Sequence, residues 1–348
     1  MLDRIRDCVR KMAGYKPGEQ LNSPDVVKLN TNENPYPPSP KVFEAISAAL
    51  TANKLRKYPQ PLGDDFRRAA SEALGIDPES IVVGNGSDDI LTILTRAFVP
   101  EGGLIVSPTP SYVLYKSLAD IQGTRFETVP FNADWSVPNP WPKKDAHLTF
   151  FPNPNSPSGT ALTVSQLETL AHDVKGPFVL DEAYADFCEW NGLSLVSKLP
   201  NVIVTRSFSK TYSLAGMRFG FAVARPEIVR ELLKVKDSYN VDVLALASAK
   251  AAIRDRDYYR GLREKIVVTR TQMATALSKL GFSVTPSQAN FLWCTRADRP
   301  VKPIYEALKA KQILVRYMNY GSSGDGLRIS VGTEEEIDRL LAELEHIV

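Results

Sequence analysis

From Gly63 to about Ala224, short apolar runs alternate with longer stretches whose apolar residues recur at helical spacing. The runs Ile81–Val83, Leu104–Ser107, Phe126–Val129, Leu148–Phe151, Phe178–Leu180, Val202–Thr205 and Phe219–Val223 read as strands. Helices are predicted over Ser87–Phe98, Ser111–Ile121, Val164–Asp173 and Pro226–Lys236. Short buried strands separated by helices predict an α/β domain: a mostly parallel seven-stranded sheet covered by helices on both faces.

Ahead of this region, residues 1–40 are rich in Pro and Asn and end in N-E-N-P-Y-P-P-S-P, Asn32 to Pro40. Proline fixes φ and has no N–H to donate, so such a density excludes a helix or a central strand. The arm is therefore expected to be extended and to lie on the small domain or on a partner. A helix from Pro40 to about Ala52 and a turn at Tyr58–Gly63 follow. Beyond a long helical region, roughly Val241 to Leu280, the pattern changes. Strands near Phe282–Thr285, Asn290–Cys294, Ile313–Arg316 and Leu327–Val331, interleaved with helices at Val301–Lys311 and Glu334–Ile347, predict a smaller α+β domain. The expected division is an arm over 1–40, a large domain over 41–245 and a small domain over 246–348.

Composition narrows the function classes more than the fold. Of 348 residues, 42 are Lys or Arg and 40 are Asp or Glu; the net charge of +2 predicts no strong affinity for nucleic acid or membranes. A chain this long, 43% hydrophobic, can bury a core without disulfides or metals. The opening M-L-D-R-I-R-D-C-V-R-K-M is charged and lacks the apolar core of a signal peptide, so a cytoplasmic location is expected. Cys8, Cys188 and Cys294 lie far apart, as do His147, His172 and His346. Neither set has a metal-ligand spacing, so thiols and no metal are expected.

Three segments place polar residues at strand ends, where ligands sit in open α/β sheets. In P-F-V-L-D-E-A-Y, Pro177 to Tyr184, Asp181 ends an apolar strand. A buried, unpaired charge costs several kcal/mol, so this carboxylate requires a cationic partner that the segment does not contain. Tyr184 can face the same place. Capping the next helix is the competing use for such an aspartate. In T-R-S-F-S-K-T-Y-S-L-A-G-M-R, Thr205 to Arg218, the hydroxyls of Ser207 and Ser209 with Arg218 suit a phosphate dianion. Lys210 among them can serve as a nucleophilic amine if desolvation lowers its pKa; otherwise the loop is solvated surface. In V-V-G-N-G-S-D-D, Val82 to Asp89, a glycine turn opens a helix whose N-terminus can bind phosphate, or whose Ser87 is a plain N-cap. Each signal is weak alone. Together they require a phosphate, a cationic ring nitrogen, a phenol-type oxygen and an aldehyde in one ligand, and pyridoxal 5'-phosphate (PLP) has all four.

The order G-S-D-D, N-P-N-S-P-S-G (Asn153 to Gly159), D-E-A-Y, S-F-S-K and R-F-G-F resembles the fold-type I, PLP-dependent aminotransferases over nearly the full chain. Y-K-P-G (Tyr15 to Gly18), L-N-T-N-E-N-P-Y (Leu29 to Tyr36), K-Y-P (Lys57 to Pro59), I-L-V-R (Ile313 to Arg316) and L-R-I-S-V-G-T (Leu327 to Thr333) resemble the histidinol-phosphate aminotransferases among them. The resemblance implies that Lys210 carries PLP as a Schiff base and later shuttles a proton. It implies that Asp181 holds the pyridine nitrogen protonated, that Tyr184 bonds the ring 3′-oxygen and that Tyr112 stacks on the ring. Ser207, Ser209, Arg218 and the amides of Ser87 and Asp88 are implied to hold the phosphate, with Tyr58 reaching it from a second subunit of a homodimer. Arg328 is implied to grip a substrate anion, shared by Arg316, Tyr15 and Asn32; for Arg316 a surface ion pair is the alternative. One position departs from the family: Ser156 stands where an Asn usually bonds the 3′-oxygen, which leaves Asn155, Ser156 itself as a weaker partner, or Tyr184 acting alone for that contact. The expected substrates are histidinol phosphate and glutamate or 2-oxoglutarate. The rivals are an aromatic amino-acid aminotransferase, a threonine-phosphate decarboxylase, or a phosphometabolite-binding module without activity.

Overall fold

The seven apolar runs form a single sheet. In the computed structural model, which describes residues 2–14, 18–21, 25–143, 145–321 and 324–348, the strands are β1 (Val27–Leu29), β2 (Ile81–Gly84), β3 (Leu104–Thr109), β4 (Arg125–Pro130), β5 (Leu148–Pro152), β6 (Phe178–Asp181), β7 (Val202–Ser207), β8 (Gly220–Val223), β9 (Ser283–Thr285), β10 (Phe291–Thr295), β11 (Ile313–Asn319) and β12 (Asp325–Ser330). The large sheet runs β2-β8-β7-β6-β5-β3-β4. Neighbours in it are parallel, except that β8 is antiparallel to both β2 and β7.

Alternate residues of each strand enter different cores. Phe178 and Leu180 of β6 and Val202 and Val204 of β7 join one core; Val179 and Ile203 join the other. The first core is closed by helices such as Asp64–Leu74, Val164–Asp173 and Val243–Arg254, the second by Ser87–Phe98, Leu114–Gln122 and Pro226–Val235. Burying one such side chain contributes roughly 1.5–3 kcal/mol. With water excluded from both faces, the central strands read as nearly continuous apolar runs rather than as alternation, with Thr149 of β5 an exception and polar residues gathering at the carboxyl ends of β6 and β7.

Some predicted boundaries shift. The helix expected from Ser111 begins at Leu114, leaving Ser111 to Val113 at the sheet edge. The helix from Pro40 ends at Ala49, and Thr51 caps a separate short one at Ala52–Leu55. The region 241–280 is two helices, Val243–Arg254 and Arg256–Lys279, broken at Asp255. There the carboxylate accepts from Ser39 and pairs with Lys41, so the break is tied to the end of the arm.

A second, five-stranded sheet runs β1-β11-β12-β10-β9. β1 lies parallel to β11, in register from Val27↔Ile313 to Leu29↔Val315, and the other pairs are antiparallel. The arm thus supplies an edge strand, but it is not extended throughout: Leu2–Arg4 and Asp7–Lys11, ahead of its first proline, are helical, and Arg6 there donates to the Ile121 and Gln122 carbonyls of the large domain. Beyond its strand the arm carries Asn30 to Glu33 toward the large sheet.

Candidate active site

Because β3, β5, β6 and β7 are parallel, their carboxyl ends share one edge, and β8, running the other way, starts there. This edge, the end of the arm and β11 and β12 enclose a cavity of about 450 Å³. The large sheet brings Ser87, Asp88, Tyr112, Asp181, Tyr184, Ser207, Ser209, Lys210 and Arg218 to its wall; the small sheet brings Arg316 and Arg328.

The Lys210 loop is anchored from below. Phe208 is fully buried, meets Phe66, Phe219 and Phe221 edge-on and stacks on Tyr212. Its neighbours Ser207, Ser209 and Lys210 reach the cavity. Lys210 Nζ donates to the Thr31 carbonyl at 2.9 Å and lies 5.8 Å from the centre of the Tyr184 ring. Burial, then the positive charge of Arg328, brings its pKa down to about 8, against the opposite pull of Glu33 and Asp88. Part of the amine is therefore uncharged near neutral pH and able to act as a nucleophile.

Asp181 is buried and accepts the Tyr115 hydroxyl at 2.7 Å and the Thr205 hydroxyl at 3.2 Å. Burial pushes its carboxyl above the usual carboxylate range, and both donors oppose that push. Among the described residues no Lys or Arg pairs with it, so the expected cationic partner is not a side chain of this wall. The adjacent Glu182 instead forms a buried ion pair with Arg206 at 2.9 Å, and Arg206 reaches Asp186 at 2.7 Å. These pairs tie the end of β6 to the end of β7, and with them Asp181 to Ser207.

At the other end, the helix Ser87–Phe98 begins after Gly86, and no side chain caps it. Ser87 is its first helical residue and not its N-cap, so the first-turn N–H groups keep their donor capacity at the positive end of the dipole. Arg218 donates to Ser209 Oγ at 3.4 Å and pairs with Asp88 at 3.2 Å; the Tyr112 hydroxyl donates to the same Asp88. Gly86 has φ +81°, and a Cβ there would stand 2.7 Å from Arg218 Nη2. Only glycine lets the guanidinium settle beside the helix end. Two hydroxyls, a guanidinium and an uncapped helix N-terminus along one wall suit a phosphate dianion.

On the small-domain side, Arg316 and Arg328 are direct partners across antiparallel β11 and β12, so their side chains leave the same face. Arg328 donates to Ser156 Oγ at 3.0 Å and to the Asn30 carbonyl at 2.9 Å, above the Phe291 ring. Arg316 lines the cavity.

Two residues expected at the cavity, Asn32 and Asn155, do not line it, and Tyr58, expected to reach a partner's site, does not enter this one. Asn32, buried at φ 56°, lies behind Tyr184: its amide donates to the Tyr184 hydroxyl at 3.0 Å while Ser330 and Asn290 of the small domain hold it. Asn155 donates to the Pro110 carbonyl and to Ser158, and Ser156 faces the cavity in its stead. Tyr58 is 80% exposed and stacks on Tyr239 with ring centres 4.4 Å apart. Tyr15 lies outside the described residues. Sequence reasoning passed over Tyr115, Thr205 and Glu33. Glu33 lines the cavity and accepts from Lys28 at 2.7 Å and Thr31 at 2.8 Å. Only the spacing of Tyr112 and Tyr115, three apart in the helix expected from Ser111, could have pointed to the first of them.

An amine of lowered pKa, a buried carboxylate and an anion cup at the carboxyl edge of an α/β sheet define a class, and the chain belongs to it: the family model for aminotransferases of class I and II matches residues 24–344. More narrowly, a histidinol-phosphate aminotransferase of Rhodopirellula baltica is 49% identical over 345 residues, 98% of this chain and 95% of that protein. One from Geotalea daltonii is 45% identical over 99% of each. Among solved structures, histidinol-phosphate aminotransferase from Sinorhizobium meliloti in complex with pyridoxal-5'-phosphate has the same fold. Its TM-score is 0.86 over 99% of this chain and 97% of that one, at 24% identity. No helix of the described residues is long and apolar enough to cross a membrane.

Proposed function

We propose that the protein transfers the amino group of L-histidinol phosphate to 2-oxoglutarate, giving imidazole-acetol phosphate and L-glutamate in histidine biosynthesis, with PLP as cofactor. The pairing of Arg316 with Arg328 carries the substrate assignment. Two guanidiniums directly opposite one another repel. A phosphate ester, with up to two negative charges and three acceptor oxygens, relieves that repulsion more fully than the single charge of an α-carboxylate, the one anion that phenylalanine offers. The α-carboxylate of glutamate uses the same pair in the second half of the reaction.

PLP fits the large-domain wall. Ser207, Ser209, Arg218 and the N–H groups of Ser87 and Asp88 hold its phosphate. Asp181, which has neutral donors in Tyr115 and Thr205 and, among the described residues, no cationic side chain, would hold the proton of the ring nitrogen. Tyr184, steadied by Asn32, bonds the 3′-oxygen, and Tyr112 stacks on the ring. Bound there, PLP supplies a conjugated electron acceptor for the substrate. Lys210 would carry the cofactor and, as a free amine, would move the proton at the substrate carbon that bears nitrogen. In this assignment residues 41–245 bind the cofactor, 246–348 carry the substrate arginines and 1–40 form the arm between them.

The protein is further proposed to act as a cytoplasmic homodimer. Tyr58 and the exposed Phe43, Leu50 and Leu55 give residues 43–58 an apolar surface that a second copy would cover. Sedimentation equilibrium should return twice the 38.5 kDa of one chain; a single-chain mass would remove the dimer and the role of Tyr58 in a partner's site.

Steady-state rates with 2-oxoglutarate test the substrate. Histidinol phosphate should far exceed phenylalanine in kcat/KM, and threonine phosphate should release no carbon dioxide. Faster turnover of phenylalanine would overturn the assignment. The pKa of Lys210 adds a second check. Only the uncharged amine attacks an aldehyde, so capture of PLP by cofactor-free protein should slow about tenfold per pH unit below about 8. A stopped-flow rate that stays level from about pH 6 to about 8 would show an amine that does not titrate there.

A further inference from the structure

We propose that Tyr115 is a positioning residue of the reaction: its hydroxyl, donated to Asp181 Oδ2 at 2.7 Å, keeps that carboxylate ionised and aimed at the ring nitrogen of the cofactor. This rests on the placement of PLP proposed above. Tyr115 is fully buried on the helix Leu114–Gln122, and its ring is held on two sides. It stacks on Phe150 of β5 with centres 4.8 Å apart and meets Tyr112 edge-on at 5.6 Å. The hydroxyl cannot swing away without breaking both contacts. Thr205 donates to the other oxygen, Oδ1, at 3.2 Å, so two donors fix the plane of the carboxylate.

The physical need for the donor follows from burial. A desolvated carboxylate gains proton affinity unless hydrogen bonds hold it ionised. A protonated Asp181 could not keep positive charge on a ring nitrogen, and the electron withdrawal from substrate would weaken. Burial does push the Asp181 carboxyl up, and the Tyr115 hydrogen bond is the largest opposing effect. The phenol, raised far above its ordinary value by burial and by the Asp181 charge, remains a donor throughout the working range. Tyr115 also braces Tyr112, so one buried ring supports both the residue beneath the nitrogen and the residue over the ring face.

The test reads the ring-nitrogen resonance of PLP carrying a nitrogen-15 label in the holoenzyme, beside kcat, KM and thermal stability. Tyr115→Phe should move the resonance toward the unprotonated position and lower kcat about tenfold, with KM for histidinol phosphate within about twofold of wild type. Thr205→Val should act in the same direction to a smaller extent, and stands in if Tyr115→Phe does not fold. Phe150→Leu removes the stacked ring but leaves the hydroxyl and the Tyr112 contact that still aims it; it should lower thermal stability without moving the resonance. An unmoved resonance in Tyr115→Phe and Thr205→Val, while Asp181→Asn moves it, would overturn the inference and leave the PLP placement standing. If Asp181→Asn leaves the resonance in place, the PLP placement itself fails, and the inference falls with it.

Discussion

Lys210→Ala should lower kcat with histidinol phosphate by about 10⁴-fold or more, because in the proposed mechanism one amine serves as cofactor anchor and as proton carrier. Among the described residues Lys210 is the one lysine on the cavity wall, so no neighbour can take over either task. Lys28, the nearest in the arm's sequence, is engaged with Glu33 at 2.7 Å. Lys210→Arg keeps the positive charge but presents no amine of comparable acidity, and it should lose activity to the same extent. Borohydride reduction of the wild-type holoenzyme followed by peptide mapping should find the label on Lys210 alone. Label on another lysine, or a variant that keeps a tenth of the activity, would remove Lys210 from the centre of the chemistry. Both variants should bind PLP non-covalently, since the phosphate cup and Asp181 are untouched.

The second large effect belongs to the paired arginines. Arg328→Ala should lower kcat/KM for histidinol phosphate by about 100-fold, the loss expected when charge-assisted hydrogen bonds worth ~3 kcal/mol disappear. Arg316→Ala should cost about tenfold, since Arg316 lacks the Ser156 and Asn30 contacts that hold Arg328 in place. Arg328→Lys should recover little: an ammonium cannot grip an anion with two parallel N–H donors. The charge of Arg328 also depresses the pKa of Lys210, so in Arg328→Ala that amine should titrate higher and the acid limb of the rate profile should move up in pH. Equilibrium binding of PLP separates this account from a cofactor role. An affinity for PLP that falls as far as kcat/KM would place Arg328 at the cofactor end of the cavity.

Much of the large-domain site was readable along the chain. A run of apolar residues that stops at Asp181, and another that stops just before Ser207, each mark a strand end. In a parallel sheet those ends meet at one edge by topology alone. Hence three segments, each ambiguous alone, could be assigned to one ligand. Arg218 belongs to the same edge because β8 reverses direction, which its short apolar run does not reveal. The loop at 153–159 shows the limit. Which of two adjacent residues faces the cavity depends on the path of the loop, and here Ser156 does and Asn155 does not.

The sequence by itself therefore determined most of the elements and the carboxyl-edge location of the candidate site, because strand and helix periodicities and strand-end polarity are local properties of the chain. Tertiary structure decided the rest. Asp181 met Tyr115, 66 residues away in the chain, only because the helix bearing it packs over β5. Arg316 and Arg328 came to share a face through the register of β11 on β12, where a slip of one residue would turn one of them away from the cavity. Asn32 left the expected substrate contact for a place behind Tyr184 because β1 joined the small sheet and set it against Ser330. Register and side-chain direction are settled by packing between distant elements, and no periodicity along the chain encodes them.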